Sequence, residues 1–583
     1  MPAKRAKKAA AKKTVTASSL DAKVYAACDI MRRSNCSGAL NYIPELSWIL
    51  FLRILDELEQ QDEAKSAIIG VPFSASLHSP FRWRDWAATP PDDESDPTGW
   101  KRRELTVGGV NLFKQWVNDE LIPNLKGLKD RFAATPRQKV ISEILSGVER
   151  VRIDTDRNLL DVLDKIDGIR QDAIDDTHVF ALSQVYEGLL ADLGDKAGDG
   201  GQFFTPREII RAVVKIIDPK IGETVYDPSC GTGGFLAQAF EHMKGEDDAK
   251  MATARDWETL RHDTFHGREK ENLIYPIALS NLVLHGIDLP RIWHGNTLTK
   301  EALYEGLWLG APEQFDVILS NPPFGGKEGR DAQSDFAFQT KATQILFLQH
   351  VIDTLKDGGR CGIVLDEGVL FRTNEDAFLR TKRKLLEECD LWCIVSLPGG
   401  AFSGAGAGVK TNLLFFTKGK PTEKIWYYDL SDLKVGKRTP FTLDRFEDLF
   451  LLLPGREDSE RSWTIDFISR REQASKDASP FKAEAEQQRK RIEELKDQRK
   501  ALRGAAKDLE KVDEAIATAA TAQREALNRA SAIEATAYDL KAVNPNAVST
   551  RENRTAAELL EIVEVEGRSV ADALEKLKAS LMA

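Results

Sequence analysis

The sequence predicts an α/β chain: a doubly wound, mostly parallel sheet preceded by a helical domain and followed by long helices. Three observations carry this. Between about Thr177 and Lys420, short β-branched runs alternate with helical stretches, the pattern of strands covered on both faces by helices. Before that region, apolar residues fall at three- and four-residue spacings, as on the buried face of a helix. After Arg470 the composition shifts to Ala, Glu, Lys, Arg and Gln, which suits long exposed helices.

Taken in order, residues 1–18 carry Lys4, Arg5, Lys7, Lys8, Lys12 and Lys13 with no acid among them. They read as a disordered basic tail able to touch phosphates; with no apolar core behind the charges, it is not a secretory signal. Residues 19–170 form a helical domain, in which Leu46, Ile49, Leu50, Ile54 and Leu58 share one face of a buried helix. Thr89–Gly99, with Pro90, Pro91 and Pro97 among acids, is a loop. Residues 171–470 hold the sheet, and parallel strands are expected at Thr224-Val-Tyr-Asp, Phe265–Glu269, Phe315-Asp-Val-Ile-Leu-Ser, Arg360-Cys-Gly-Ile-Val-Leu, Leu391-Trp-Cys-Ile-Val-Ser-Leu and Asn412-Leu-Leu-Phe-Phe-Thr. Within residues 471–583, Leu495, Leu502, Leu509 and Ile516 lie seven apart, predicting a long exposed helix or a helical hairpin for subunit association. Tyr538–Asn546 breaks it, and Ala556–Leu581 forms a last amphipathic helix.

Composition narrows the function. At 583 residues the chain exceeds one ordinary core, and with 42% apolar and 30% charged residues it has no apolar run approaching a membrane span. A membrane protein is excluded. Six scattered cysteines without a C-x-x-C pair imply a reducing, cytoplasmic setting and no structural zinc. The net charge of −11 opposes nucleic acid, so any role on it is local or shared with a partner.

Two motifs carry chemistry. Val225-Tyr-Asp227-Pro-Ser-Cys230-Gly231-Thr232-Gly233-Gly234 is a strand entering a glycine-rich turn and then a helix, so backbone approaches a ligand at the carboxyl edge of the sheet. Asp227 suits a cationic ammonium and would repel phosphates; Cys230 is a small residue in the turn and no nucleophile. Glu269, 36 residues beyond Gly233 across a charged insertion at about Lys244–Arg261, is either an acceptor for both ribose hydroxyls or a surface carboxylate. The second motif, Asn321-Pro322-Pro323-Phe324, ends a strand in a stiff turn that offers the Asn321 amide oxygen and the Pro322 carbonyl as two acceptors for one amino group. Phe324 adds a face on which a planar base stacks.

Gly201-Gln-Phe-Phe-Thr-Pro-Arg207, Asp227-Pro-Ser-Cys-Gly-Thr-Gly-Gly and Asn321-Pro-Pro-Phe, in that order, resemble the gamma class of adenine-N6 DNA methyltransferases. The closest likeness is to the modification subunit of type I restriction-modification systems. It covers nearly the whole chain, extending to Ala27-Cys-Asp-Ile-Met-Arg-Arg, Phe51-Leu-Arg-Ile-Leu-Asp, Val185-Tyr-Glu-Gly-Leu-Leu, Tyr538-Asp-Leu and Asn544-Pro-Asn. The resemblance implies a Rossmann-like, S-adenosylmethionine-dependent methyltransferase domain. It implies that Gln202, Phe203, Phe204, Thr205, Pro206 and Arg207 close over the methionine end of the cofactor, that Thr232, Gly233 and Gly234 lie under it, and that Glu269 holds its ribose. Asn321 and Pro322 would accept the N6 protons of a flipped adenine while Phe324 stacks on it, without a metal. At His294-Gly-Asn296 the pattern departs, because such enzymes often carry Asp where Asn296 stands.

Enzymes of that class that act alone continue into a large recognition domain. Here the stretch from Lys420 to Phe467 is short and helices follow, which leaves no room for a base-reading module. The resemblance implies double-stranded DNA as substrate, a separate specificity subunit serving two modification subunits, and optionally a restriction subunit. The residues alone leave cytosine N4, a protein glutamine amide, or a cofactor-binding scaffold for an associated nuclease as alternatives.

Overall fold

The computed structural model describes residues 17–36, 39–70, 72–107, 112–169, 205–299, 304–402, 410–436, 439–501, 506–541 and 543–546. The basic tail before residue 17, Val185–Leu190 and Ala556–Leu581 lie outside the described residues.

The N-terminal region is helical. Helices α1 (Ala17–Arg33), α2 (Ala39–Ile69), α3 (Pro136–Leu145) and α4 (Asp156–Asp167) surround one apolar core. In α2 Leu46, Ile49, Leu50 and Ile54 of the predicted face are buried and Leu58 is partly buried, and Trp48, Phe51, Leu52 and Leu55 are buried too, so this helix runs through the domain centre. Its Arg53 is held by Glu57 at 2.6 Å and by the Ile169 carbonyl at 2.9 Å, which satisfies a charge that burial would otherwise penalise. Residues 89–99 form a loop, as expected. Arg137 of α3 reaches Asp288 of the sheet domain at 2.5 Å, joining the two regions.

The sheet domain opens with α5 (Arg207–Ile217), followed by β1 (Val225–Asp227), α6 (Gly234–Lys244), α7 (Ala254–His262), β2 (Phe265–Glu269), α8 (Ile274–Leu284), β3 (Arg291–His294) and β4 (Phe315–Ser320). Next come α9 (Thr343–Thr354), β5 (Leu355–Asp366), α10 (Glu367–Phe371), α11 (Asp376–Glu388), β6 (Cys389–Ser396), β7 (Thr411–Lys418), β8 (Lys424–Asp429) and β9 (Ser462–Asp466). The strand order is β3-β2-β1-β4-β5-β7-β6-β8-β9. Strands β3 to β5 are parallel, and the chain reverses its winding at β1 and β4, the place where open α/β sheets form ligand crevices. The charged insertion after Lys244 contains α7, so it is structured and packs beside β2.

One sequence expectation is corrected. The run at Asn412 is not parallel: β7 lies antiparallel between β5 and β6, because no crossover helix of the kind a parallel partner needs separates β6 from β7 among the described residues. Of the two arrangements expected after Arg470, the structure has the helical hairpin: α12 (Phe467–Ala501) is followed by α13 (Ala506–Ala535), packed alongside it. The hairpin seam consists of Ala474, Ala478, Ala485 and Ile492 against Ala519, Ala526 and Ala530. Small residues there let the helices approach closely. After α13 the chain does not leave the domain: Ala537, Tyr538 and Leu540 enter the core of the sheet, and the Tyr427 hydroxyl donates to the Leu540 carbonyl at 3.0 Å. Asn544 and Asn546 then donate to the carbonyls of Glu460 and Ser459 at 2.8 Å each.

All six cysteines are free and buried. Among the described residues no helix is long and apolar enough to cross a membrane.

Candidate active site

At the carboxyl end of β1 the chain turns sharply into α6. Gly231 and Gly233 take φ of +53° and +81°, a region strained for any residue with a side chain. A Cβ on Gly234 would sit 2.9 Å from Ile210 Cδ1, so α5 packs directly on this turn. Cys230 is buried against Gly267, where a Cβ would come 3.2 Å from its Sγ. Burial pushes its thiol far up, and it fills space without acting as a nucleophile.

Two carboxyls flank the turn. Asp227 accepts the Ser229 N–H at 3.0 Å. Glu269 accepts the Gly231 N–H at 3.0 Å and the Glu271 N–H at 2.8 Å, one on each oxygen. Burial pushes both up to about 7. Glu269 is therefore no surface carboxylate: the pairing of β1 with β2, Asp227 opposite Gly267, carries it to the glycine turn. Each of its oxygens keeps a further lone pair.

The Asn-Pro-Pro turn lies one strand over. The hydroxyls of Ser229 and Ser320 are 2.9 Å apart and tie the glycine turn to the end of β4. Asn321 Nδ2 donates to Thr205 Oγ1 at 2.9 Å, bringing together motifs 116 residues apart. Its Oδ1 is buried and has no hydrogen-bond partner among the described residues. The Pro322 carbonyl accepts Gln344 Nε2 at 3.4 Å. Phe324 meets Phe402 edge to face, with ring centroids 5.5 Å apart.

These residues border a cleft with two chambers. The larger, about 220 Å³, is lined by Gly231, Glu269, Asn296, Asn321 and Pro323 among others. The smaller, about 30 Å³, is lined by Thr205, Asp227, Gly231, Thr232, Gly234 and Asn321 among others. Of the remaining predicted site residues, Pro206 and Arg207 start α5, Gly233 caps α6, and Pro322 and Phe324 belong to the same turn as Asn321 and Pro323, which line the cleft, without being among the lining residues themselves. Gln202, Phe203 and Phe204 lie outside the described residues. Asn296 Oδ1 accepts the Leu298 N–H at 3.0 Å, which leaves one lone pair on that oxygen and the amide nitrogen for a ligand.

Sequence reasoning missed several participants. Arg268 lines the larger chamber and is clasped between Trp293 and Trp308, with its guanidinium carbon 5.1 and 5.2 Å from their ring centroids. Thr343 and Phe347 of α9 line the same chamber, and Thr297 Oγ1 donates to the Pro228 carbonyl at 2.5 Å. Phe347 lies in an almost wholly buried helix, so nothing local distinguishes it from core.

The sequence profile of the N-6 DNA methylases matches residues 177–487, and that of the HsdM N-terminal domain matches residues 20–100. The chain belongs to the N-6 adenine DNA methylases of type I restriction-modification systems. It is 35% identical to the EcoEI methylase subunit of Escherichia coli, over 82% of this chain and 96% of that protein. It is 30% identical to the EcoKI methylase subunit of Escherichia coli strain K12, over 74% of this chain and 76% of that protein. A solved structure described as a modification subunit of a type I restriction enzyme from Vibrio vulnificus YJ016 superposes with a TM-score of 0.68 at 33% identity, covering 79% of this chain and 94% of that one. As a type I modification subunit, the chain is a DNA methyltransferase of the adenine-N6 family.

Proposed function

We propose that this type I modification subunit takes the methyl group from S-adenosylmethionine and places it on N6 of an adenine flipped out of duplex DNA, with Asn321 and Pro322 as the acceptors for the amino N–H groups. The observation that carries the reading is Asn321 Oδ1, a buried acceptor without a partner among the described residues, on a residue bordering both chambers. Leaving such an acceptor unpaired costs about 1–3 kcal/mol, a cost that a substrate amino group removes.

The residues present fit the cofactor. Asp227 beside the smaller chamber suits an ammonium, Glu269 retains lone pairs for a ribose diol, and the left-handed glycines let backbone close on a ligand without side chains between. When bound, S-adenosylmethionine supplies an electrophilic methyl on a sulfonium. Asn321 Oδ1 and the Pro322 carbonyl accept hydrogen bonds from the two amino N–H groups and push the nitrogen lone pair, otherwise shared with the ring, back onto nitrogen; once the nitrogen carries the methyl group, one of its protons is lost to solvent. Alignment of the two reactants supplies most of the rest. A stacked adenine cannot reach Asn321, so the base is extruded at a cost of a few kcal/mol. Phe324, backed by Phe402, offers it an aromatic wall.

Sequence specificity belongs to a separate subunit. The described residues after Lys420 form β8, β9, the α12–α13 hairpin and short helical segments such as Glu447–Leu452, with no large separate module for reading bases among them, and the net charge of −11 is unsuited to binding DNA alone. The hairpin grips the specificity subunit, two modification subunits share one such partner, and a restriction subunit joins them for cleavage.

The test is Asn321→Ala in the complex with the specificity partner. Cofactor affinity stays as in the parent while methyl transfer falls about 100- to 1,000-fold, as when an active site loses one hydrogen bond to the transition state. Unchanged transfer overturns the assignment of Asn321, and a modified nucleoside other than N6-methyladenine overturns the base.

A further inference from the structure

The catalytic turn cannot brace itself. Pro322 and Pro323 carry no N–H, so neither residue can donate the backbone hydrogen bond that usually closes a turn. The brace comes from elsewhere. Gln344, the second residue of α9, is 4% exposed. Its Nε2 donates to the Pro322 carbonyl at 3.4 Å, and its Oε1 accepts the Asp366 N–H at 3.1 Å. A backbone N–H only donates and a carbonyl only accepts, so these two partners leave the amide a single orientation. The anchor is firm, because Asp366 ends β5 and its carboxylate caps α10 by accepting the Val369 N–H at 3.0 Å. Gln344 lies behind the turn, outside the residues lining either chamber.

Resting on the reading that the Pro322 carbonyl accepts one substrate N–H, we infer that Gln344 is a positioning residue for methyl transfer, holding that carbonyl in place from the end of β5. The carbonyl has two lone pairs. Gln344 engages one through a long bond, and the other is left for the substrate amino group. No other side chain among the described residues hydrogen-bonds the Pro322 carbonyl.

Two variants test this in the complex with the specificity partner. Gln344→Leu removes the brace at similar volume. The expected result is a kcat about 100-fold lower, the effect of a displacement on the ångström scale, with cofactor affinity unchanged. Gln344→Glu supplies the sharper readout. Protonated, the glutamic acid donates to Pro322 and accepts from Asp366 as the amide does. Ionised, it sets one acceptor against another. Its rate therefore approaches the parent's on the acid side and falls as pH rises, opposite to the rise expected of the parent as Asp227 and Glu269 ionise. A Gln344→Leu kcat equal to the parent's, or a Gln344→Glu profile parallel to the parent's, overturns the inference. Should Gln344→Leu fail to fold, the Gln344→Glu profile decides alone. Loss of cofactor affinity in both variants also overturns it, by making the role structural. If instead Asn321→Ala retains transfer, the reading of the site fails, whatever the Gln344 variants do.

Discussion

The cleft and the C-terminal hairpin are built on opposite terms. Around the cleft, two buried carboxyls, a buried acceptor without a partner and two left-handed glycines are held in place by the sheet beneath them. The buried carboxyls and the acceptor without a partner are unfavourable by themselves, and the two glycine positions would be strained for any residue with a side chain. In the hairpin, an alanine seam and exposed ion pairs such as Arg499–Asp513 at 2.6 Å hold two helices together with nothing buried that lacks an apolar neighbour. The lesson concerns where stability is given up: this chain concentrates its unfavourable groups around the cleft, where the proposed ligand would satisfy them, and builds its projecting hairpin without such groups.

The comparison is sharpest in its pH dependence. Asp227 and Glu269, both pushed up to about 7 by burial, remain largely protonated below that pH. On the proposed reading, cofactor binding needs them ionised, so affinity is expected to fall about tenfold per pH unit below 7 for each carboxyl that must lose its proton. The sign for the free protein is opposite. A carboxyl whose folded value is raised contributes stability that is present below its unfolded value near 4 and is lost as pH rises through about 7. Thermal unfolding with and without cofactor across this window should show the free protein weakening as pH rises while the shift produced by the cofactor grows. A shift that does not depend on pH breaks the comparison.

A smaller effect is expected from Gly267→Ala. The added Cβ would lie 2.7 Å from Ile292 Cδ1 and 3.2 Å from Cys230 Sγ, an overpacking that costs about 1–3 kcal/mol, read as a lowered denaturation midpoint with weakened cofactor binding. The smallest is Arg499→Ala in the hairpin. The Arg499 and Asp513 side chains are 55% and 49% exposed, so solvent screens the pair and stability changes by less than about 1 kcal/mol. Methyl transfer by the assembled complex is expected to stay at the parent level. A large loss of stability there would mean the hairpin is strained in a way its seam does not reveal.

Much of this was legible in the sequence, for a physical reason. The glycine turn and the Asn-Pro-Pro turn are local devices, in which backbone conformation is dictated by the residues themselves, so Gly231, Gly233, Pro322 and Pro323 announce their geometry. Glu269 stayed ambiguous because a spacing of 36 residues measures chain length and says nothing about pairing; only the β1–β2 register brings it to Gly231. Gln344 and Arg268 were invisible for the same reason, their partners lying 22 residues away or more. The antiparallel insertion of β7 went unread because apolar patterning encodes which face is buried and not which way the chain runs.

The path of residues 536–546 gives the hairpin a mechanical character. Helix α12 leaves the sheet directly after β9, and α13 returns to it through Tyr538 and Leu540. An arm of 35 residues is about 50 Å long, and both of its roots are fixed in one body with no slack hinge between. It behaves as a clamped beam. A sideways load at its tip arrives at the sheet edge as torque on β8, β9 and the Leu540–Leu370 contact beside α10, where a freely jointed arm would have transmitted only tension.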